Sequence, residues 1–352
     1  MRMRILVQGH NLSRYLAKCH EAFRTGLRAM FDTRCFGRGY PGYLPWGPLR
    51  RSYPEIVRHA WGDQKPDLLI ASFDYRRDHR SFPHPGIADV GCPTAFVLGD
   101  YWDVSDHYLD EFVEIVEQAR ITYILTYFPQ PQQIWGHTTI ADRFLYLPPC
   151  IDPRLFNDWQ EPKVYDVGFL AAGTTEPTHF YPERRVMHEK LLSARGLRYL
   201  SAKHPGFGYH RHGTALVGRN FSRAINSCRM FVTTGGRWGN LHAKVYEALA
   251  SRTMLLMPTP IGAARSGLIA GTHYVPVTED DLLDQVAYYL AHEDERQTIA
   301  DAGHRLVQSR HNCYARARQM AELIEDRLRP PTEESAPPPP VMVEGEVCCP
   351  TH

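Results

Sequence analysis

Lys244 and Glu247 stand three residues apart in the run FVTTGGRWGNLHAKVYEALASRTMLLMPTP, which begins at Phe231. On a helix starting after Asn240 they share one face. A β-rich run ending in Gly235, Gly236 and Arg237 leads into that helix, and a second apolar strand follows it. Glycines let the backbone approach closely, a helix N-terminus offers unpaired N–H groups, and Arg237 adds a forked cation, so the loop suits a diphosphate. On that reading Lys244 takes phosphate oxygens and Glu247 accepts hydrogen bonds from the two ribose hydroxyls. Spacing alone equally allows a plain turn and an exposed ion pair worth only about 0.2–0.5 kcal/mol.

Ligands of open parallel sheets bind beyond the carboxyl ends of the strands. That rule selects the loops Gly9-His10-Asn11, Gly99-Asp100, Ala172-Gly173-Thr174-Thr175 and Thr233–Arg237. Asp100 ends an apolar strand and precedes Tyr101 and Trp102, rings that could stack on an acceptor. It is therefore a candidate general base toward an acceptor hydroxyl, or else a helix N-cap or turn carboxylate. His10 is the second catalytic candidate, with a surface loop residue as its alternative. Arg184 and Arg185 lie early in a helix, where one of them would face the diphosphate; Arg185 is the residue assigned.

Strands and helices alternate along the chain. Met3–Gly9, Asp67–Ser72, Thr94–Leu98, Ile121–Thr126 and Phe144–Leu147 read as strands, with helices over Leu12–Met30 and His107–Gln118. The proline-rich Pro148–Pro162 breaks the pattern and reads as a linker. A second series follows, with strands at Tyr165–Leu170, Met230–Thr233, Met254–Met257 and Tyr274–Val277. Its helices begin near Pro182 and cover Asp280–Ala291, Glu293–Gln308 and Tyr314–Leu328. Strand–helix alternation implies right-handed crossovers and parallel sheets. The expected division is an N-terminal Rossmann-like domain over 1–157, a second over 158–329, and a disordered proline-rich tail over 330–352.

Composition narrows the function. The 352 residues carry a formal net charge of +1, which gives no support for a nucleic-acid partner. No apolar run reaches the roughly 18–20 residues of a membrane span, and the N-terminus reads as a first strand rather than a signal peptide. The eight cysteines show no CxxC spacing and the histidines no ligand spacing, so reduced thiols, no metal and a cytoplasmic location are expected.

The order YDVGFL, YPERR, KVYEALASRTMLL, GLIAGTHYVPV and DLLDQVAYYLAHEDERQTIADAGHRLVQSRH resembles the C-terminal domain of GT-B glycosyltransferases. It is most similar to the spore-maturation-protein group with a glycosyl-transferase-family-1-like domain. The likeness spans about residues 163–325, with looser matches at PDLLIAS, TAFVLGD and FLYLPPCIDPRLF. It implies two Rossmann-like domains facing across a cleft. It also implies a nucleoside-diphosphate sugar donor, an acceptor hydroxyl, no cofactor, and metal-independent transfer expected to retain configuration.

The resemblance puts Glu247 on the donor ribose, Lys244 on the diphosphate, and Gly173 and Thr174 near the donor. It also has the last helix cross back onto the N-terminal domain. Two features depart from the pattern: Gly239 stands where many retaining enzymes have a first carboxylate, and an ASRT turn replaces the common A-C-G. A sugar-nucleotide epimerase and a non-catalytic sugar-nucleotide-binding subunit remain as alternatives.

Overall fold

The computed structural model describes residues 2–13, 18–40, 51–73, 82–98, 106–129, 131, 135–172, 181–203, 205, 215–235 and 239–328. The first strands are β1 (Arg4–Gln8), β2 (Asp32–Phe36), β3 (Leu68–Ala71), β4 (Thr94–Leu98), β5 (Tyr123–Thr126) and β6 (Phe144–Tyr146). They form one sheet in the order β2-β1-β3-β4-β5-β6, every pairing parallel. The remaining strands are β7 (Tyr165–Gly168), β8 (Tyr199–Leu200), β9 (Cys228–Val232), β10 (Met254–Met257) and β11 (Val275–Pro276). They form a second parallel sheet in the order β11-β10-β9-β7-β8. In each sheet the chain goes to one side of its first strand and then back across it, which creates the switch point where α/β folds bind ligands.

Alternation along the strands explains the layers. Successive side chains leave a strand on opposite faces. In β1, Leu6 packs with Leu69, Phe96 and Ile124, whereas Ile5 and Val7 pack on the other side with Leu68, Ile70 and Leu125. Both faces are apolar and both are covered. Helix α2 (Tyr53–Trp61) and helix α3 (Asp106–Gln118) lie over the first face, and helix α1 (Lys18–Met30) over the second. The second sheet divides in the same way, with Phe231, Leu255 and Met257 on one face and Met230, Val232, Met254 and Leu256 on the other. Full burial of each such side chain contributes about 1.5–3 kcal/mol. Helix α4 (Pro182–Ser193), α5 (Arg219–Asn226), α6 (Ala243–Ala250), α7 (Leu282–Ala291) and α8 (Glu293–Arg310) cover this sheet.

The chain crosses between the sheets twice. Leu147 and Cys150 pack beneath the first sheet, while Ile151 and Phe156 join the second core. The last helix, α9 (Cys313–Leu328), returns to the first sheet, where Cys313, Ala317, Met320 and Ile324 meet Ala22, Phe23 and Leu27. The crossings are joined by Ile151 N–H to the His311 carbonyl at 3.0 Å and Cys313 N–H to the Ile151 carbonyl at 2.8 Å. Gly26 of α1 makes this docking possible, because a Cβ there would lie 2.0 Å from the Cys313 carbonyl oxygen.

Several elements differ from expectation. Leu12 and Ser13 are not helical, and α1 begins at Lys18. β2 was not foreseen, because DTRCF is an edge strand with a half-exposed polar pattern and no continuous apolar run. α2 was also missed, although Ser52 and Glu55 form a capping box at its start. The expected tail, 330–352, lies outside the described residues. Among the described residues no helix is long and apolar enough to cross a membrane.

Candidate functional site

Helix α6 is buried nearly all round, with Val245, Tyr246, Glu247, Ala248, Leu249 and Ala250 all inside. That environment rules out an exposed Lys–Glu pair on its surface. Lys244 Nζ turns away to donate to the Leu170 carbonyl, just past β7, at 2.7 Å. Glu247 is 9% exposed, and its carboxylate accepts no hydrogen bond from any described residue. Burial drives the two groups in opposite senses. It raises the Glu247 carboxyl above its ordinary range, with Lys244 opposing, and it lowers the Lys244 ammonium, with Arg184 adding to the fall and Glu247 resisting it.

The second cation is Arg184, 4% exposed. Its Nε donates to Thr234 Oγ1 at 2.8 Å, and its two terminal nitrogens reach the Ala172 carbonyl at 3.0 Å and the Gly235 carbonyl at 3.2 Å. Tyr181 lies under the guanidinium, 3.5 Å from ring centroid to Cζ. Arg184 thus ties the loop after β7 to the loop after β9, at the carboxyl edge of the sheet. Arg185, the residue assigned from sequence, faces solvent and pairs with Glu189 at 2.7 Å. The helical register separates the two arginines. Arg184 shares the buried face with Met187 and Leu191, at i, i+3 and i+7, whereas Arg185 shares its face with Glu189 and the exposed Leu192. The i, i+3, i+7 pattern was present in the sequence and would have chosen Arg184.

Gly235 packs directly on Gly239, since a Cβ at position 235 would lie 2.9 Å from the Gly239 backbone. Gly239 has φ +69°, in the left-handed region. A β-branched or bulky residue there would be strained by roughly 1–2 kcal/mol. Asn240 and His242 follow on the way into α6, and His242 is its N-cap without a side-chain cap bond. Burial lowers His242 to about 3, with the charges of Arg184 and Lys244 adding to the effect, so its ring is neutral. Neither residue was singled out from sequence. Gly173, Thr174, Gly236, Arg237 and Asp100 lie outside the described residues.

At the corresponding edge of the first sheet, a cavity of about 200 Å³ is lined by Gln8, Phe23, Arg24, Ser72 and Phe73, with His20 at its wall. Burial and the charge of Arg24 lower His20 to about 4, and its Nδ1 lies 3.2 Å from the Tyr127 hydroxyl. His10 is exposed beside this edge; partial burial and the charges of Arg38 and Arg24 lower its pKa, and its carbonyl accepts from Arg24.

The edges are linked by Tyr146 of β6, whose hydroxyl lies 2.9 Å from Ser266 Oγ, the same oxygen that accepts from Tyr246 of α6 at 3.1 Å. Arg265 spans the same boundary, over the Tyr146 ring and onto the Pro129 carbonyl. Among the described residues no group of three or more His, Cys, Asp or Glu side chains is placed to hold a metal.

Residues 184–322 match the family model described as glycosyl transferase-like. No curated protein matches the chain. Solved structures with the same fold include a glycosyltransferase from Rickettsia africae, at 8% identity and TM-score 0.61, covering 93% of this chain and 99% of that one. Anabaena HepE in complex with UDP and glucose aligns at 12% identity and TM-score 0.58, covering 92% of this chain and all of that one. Sucrose-phosphate synthase from Thermosynechococcus elongatus aligns at 13% identity and TM-score 0.57, covering 93% and 99%. The two parallel sheets therefore have the GT-B arrangement, with a glycosyl transferase-like domain in the second half of the chain.

Proposed function

We propose that this protein is a glycosyltransferase that moves a sugar, most simply a hexose, from a nucleoside-diphosphate donor to an acceptor hydroxyl. The observation that carries the reading is Glu247, a buried side chain whose carboxylate accepts no hydrogen bond from any described residue, one helical turn from Lys244 and on the same sheet edge as Arg184. A carboxylate so placed suits a vicinal diol, and the two cations suit a diphosphate. The glycosyl transferase-like match over 184–322 and the UDP bound by HepE support the same ligand class. The spore-maturation-protein-like group is the subgroup that its motifs favour.

In the reaction, the bond between the sugar's anomeric carbon and the diphosphate oxygen breaks, and a bond to the acceptor oxygen forms. Lys244, Arg184 and the loop of Gly235, Gly236 and Arg237 stabilise the charge developing on the departing diphosphate, which is the main catalytic contribution and takes the role a metal ion plays elsewhere. Gly173 and Thr174 border the donor. With retention, the acceptor proton passes to the leaving phosphate oxygen and Asp100 orients the acceptor; with inversion, Asp100 takes that proton. The acceptor enters over the first domain, beside His10 and the cavity between Arg24 and Phe73. The domain division at 157/158 and a cytoplasmic location complete the proposal.

The test is to incubate the protein with UDP-, GDP-, ADP- and dTDP-hexoses, with and without a panel of hydroxyl acceptors, and to follow nucleoside diphosphate release and products by mass spectrometry. Acceptor-dependent release is expected. Turnover of the nucleotide sugar alone into an isomer would mark an epimerase, and binding without turnover a non-catalytic subunit.

A further inference from the structure

Gln8, the last residue of β1, is 5% exposed and lines the cavity at the carboxyl edge of the first sheet. Its Oε1 accepts from the Tyr53 hydroxyl at 3.2 Å and from the Ser72 backbone N–H at 3.0 Å. A backbone N–H can only donate, so these bonds fix which end of the amide is oxygen. The other end, Nε2, donates to no described residue and is not closed off by protein, so its hydrogens open on the cavity.

Arg24 brings a charge to the same place. Its Nη1 donates to the His10 carbonyl, to the Tyr40 hydroxyl at 3.3 Å and to Glu21 at 3.4 Å, while Nε and Nη2 donate to no described residue. Glu21 is shared, because it also takes Arg28 at 3.0 Å, so one carboxylate faces two guanidinium groups. Among the described residues no Asp or Glu lines the cavity. The positive potential reaches His10 and His20, both of which burial and then nearby arginine charge, Arg24 included, hold below the ordinary histidine range.

Gly9 leaves the room between these groups. A Cβ there would lie 2.5 Å from Arg24 Nη2 and 2.5 Å from Ser72 Oγ, too close for either to stay in place. Ser72 Oγ gives its hydrogen to the Gln8 carbonyl at 3.0 Å, so it is left to accept. The pocket thus offers N–H donors from Gln8 and Arg24, a hydroxyl acceptor beside them, and an apolar wall of Phe23, Phe73 and Val97.

Unused donors in a partly enclosed site call for acceptors, and a cation without a full counter-charge calls for an anion. A neutral polyol would satisfy the N–H groups and leave the charge uncompensated. A carboxylate or phosphate answers both, accepting from the amide and the guanidinium together, while a hydroxyl on the same molecule donates to Ser72 Oγ. The volume of about 200 Å³ admits a small molecule or one end of a larger one.

We infer that this cavity is an oxyanion site, in which Gln8 and Arg24 bind the carboxylate or phosphate of a hydroxylated acid that serves as the acceptor. The acceptor role rests on the proposed transfer reaction, whereas anion binding by the cavity does not.

The experiment titrates the full chain calorimetrically with matched acid and neutral probes: glucuronate against glucose, glycerol phosphate against glycerol, and salicylate against salicyl alcohol. The same probes are offered as acceptors in the transfer assay. At least one acid is expected to bind about tenfold or more tighter than its neutral partner, and the pair that responds tells carboxylate from phosphate. Gln8→Glu keeps an oxygen for Tyr53 and Ser72 and turns the free amide into a second carboxylate oxygen. It should weaken that acid about tenfold or more, with nucleoside-diphosphate affinity within about twofold of the wild type. Gly9→Ala fills the space between Arg24 and Ser72 and should give the same loss, so it serves alone if Gln8→Glu does not fold. Neutral probes that bind as well as the acids, no binding by any probe, or acid affinity that survives both substitutions would overturn the assignment. Acid binding by the expected pattern, with no transfer from any nucleotide sugar to any acceptor, would count against the transferase reading and leave the anion site standing.

Discussion

Replacing Glu247 by Gln should move stability and nucleotide affinity in opposite directions. The side chain is 9% exposed and its carboxylate has no hydrogen bond from a described residue. Its pKa is raised because burial penalises the ionised form more than Lys244 stabilises it. The unfolded chain therefore loses this proton first as pH rises. Between the ordinary carboxylate range and the raised folded value, the folded state holds more protons, so stability falls across that window. Gln mimics the protonated form and should relieve the burial penalty on the ionised carboxylate, on the order of 1–3 kcal/mol. At about 2–4 °C per kcal/mol, melting near neutral pH should rise by several degrees, with no gain below pH 4.

Binding should move the other way. Bonds from a ribose diol to a carboxylate contribute about 1.5–3 kcal/mol each, and Gln keeps one neutral acceptor. A net loss of about 2–4 kcal/mol corresponds to roughly 30- to 1,000-fold in Kd. Calorimetric titration with UDP, GDP, ADP and dTDP, beside melts from pH 4 to 8, reads both effects. Unchanged affinity for whichever nucleotide binds, or a variant that melts lower than the wild type at neutral pH, would refute the reasoning.

Arg184→Gln should lower the free energy of urea unfolding by about 2–4 kcal/mol and weaken nucleotide binding, because it frees the Ala172 and Gly235 carbonyls inside the site. Arg185→Gln, which breaks only an exposed i,i+4 pair, should change neither by more than about 0.5 kcal/mol; equal effects would contradict the helical register. Gly26→Ala should cost about 1–3 kcal/mol by forcing α1 off the Cys313 carbonyl, and a melt identical to wild type would show that α9 does not dock there.

His311 should contribute an acid destabilisation below pH 6.5, opposite in sign to the contribution of Glu247. His311 is 4% exposed, its Nε2–H donates to the Ser266 carbonyl at 2.9 Å, and its Nδ1 accepts from Arg316 at 2.6 Å. Burial and Arg316 lower it to about 3, so it stays neutral while the unfolded chain protonates. This linkage removes about 1.4 kcal/mol by pH 5.5. Urea unfolding at pH 7.5 and 5.5 should show a smaller loss in His311→Gln; an equal loss would refute the assignment.

The alternation of LLIA, TAFVL, YILT and MLLM with helices, each strand buried on both faces, was enough to read two parallel sheets, because continuous apolar runs have no other soluble place to go. The register of α4 likewise held the choice between Arg184 and Arg185, in the spacing of Met187 and Leu191. Edge strand β2 escaped, since an edge buries one side only and its sequence carries no apolar run.

Sequence by itself determined the fold class, the loops that gather at the strand ends, and the Lys244–Glu247 spacing. Only the tertiary structure decided what that spacing means. Glu247 is buried because α6 is enclosed by the second core, and Lys244 is pulled toward Leu170 by a loop 74 residues away. Burial and long-range hydrogen bonds set the charge states and the orphaned atom Asn240 Oδ1. Neither is a property of neighbouring residues in the chain.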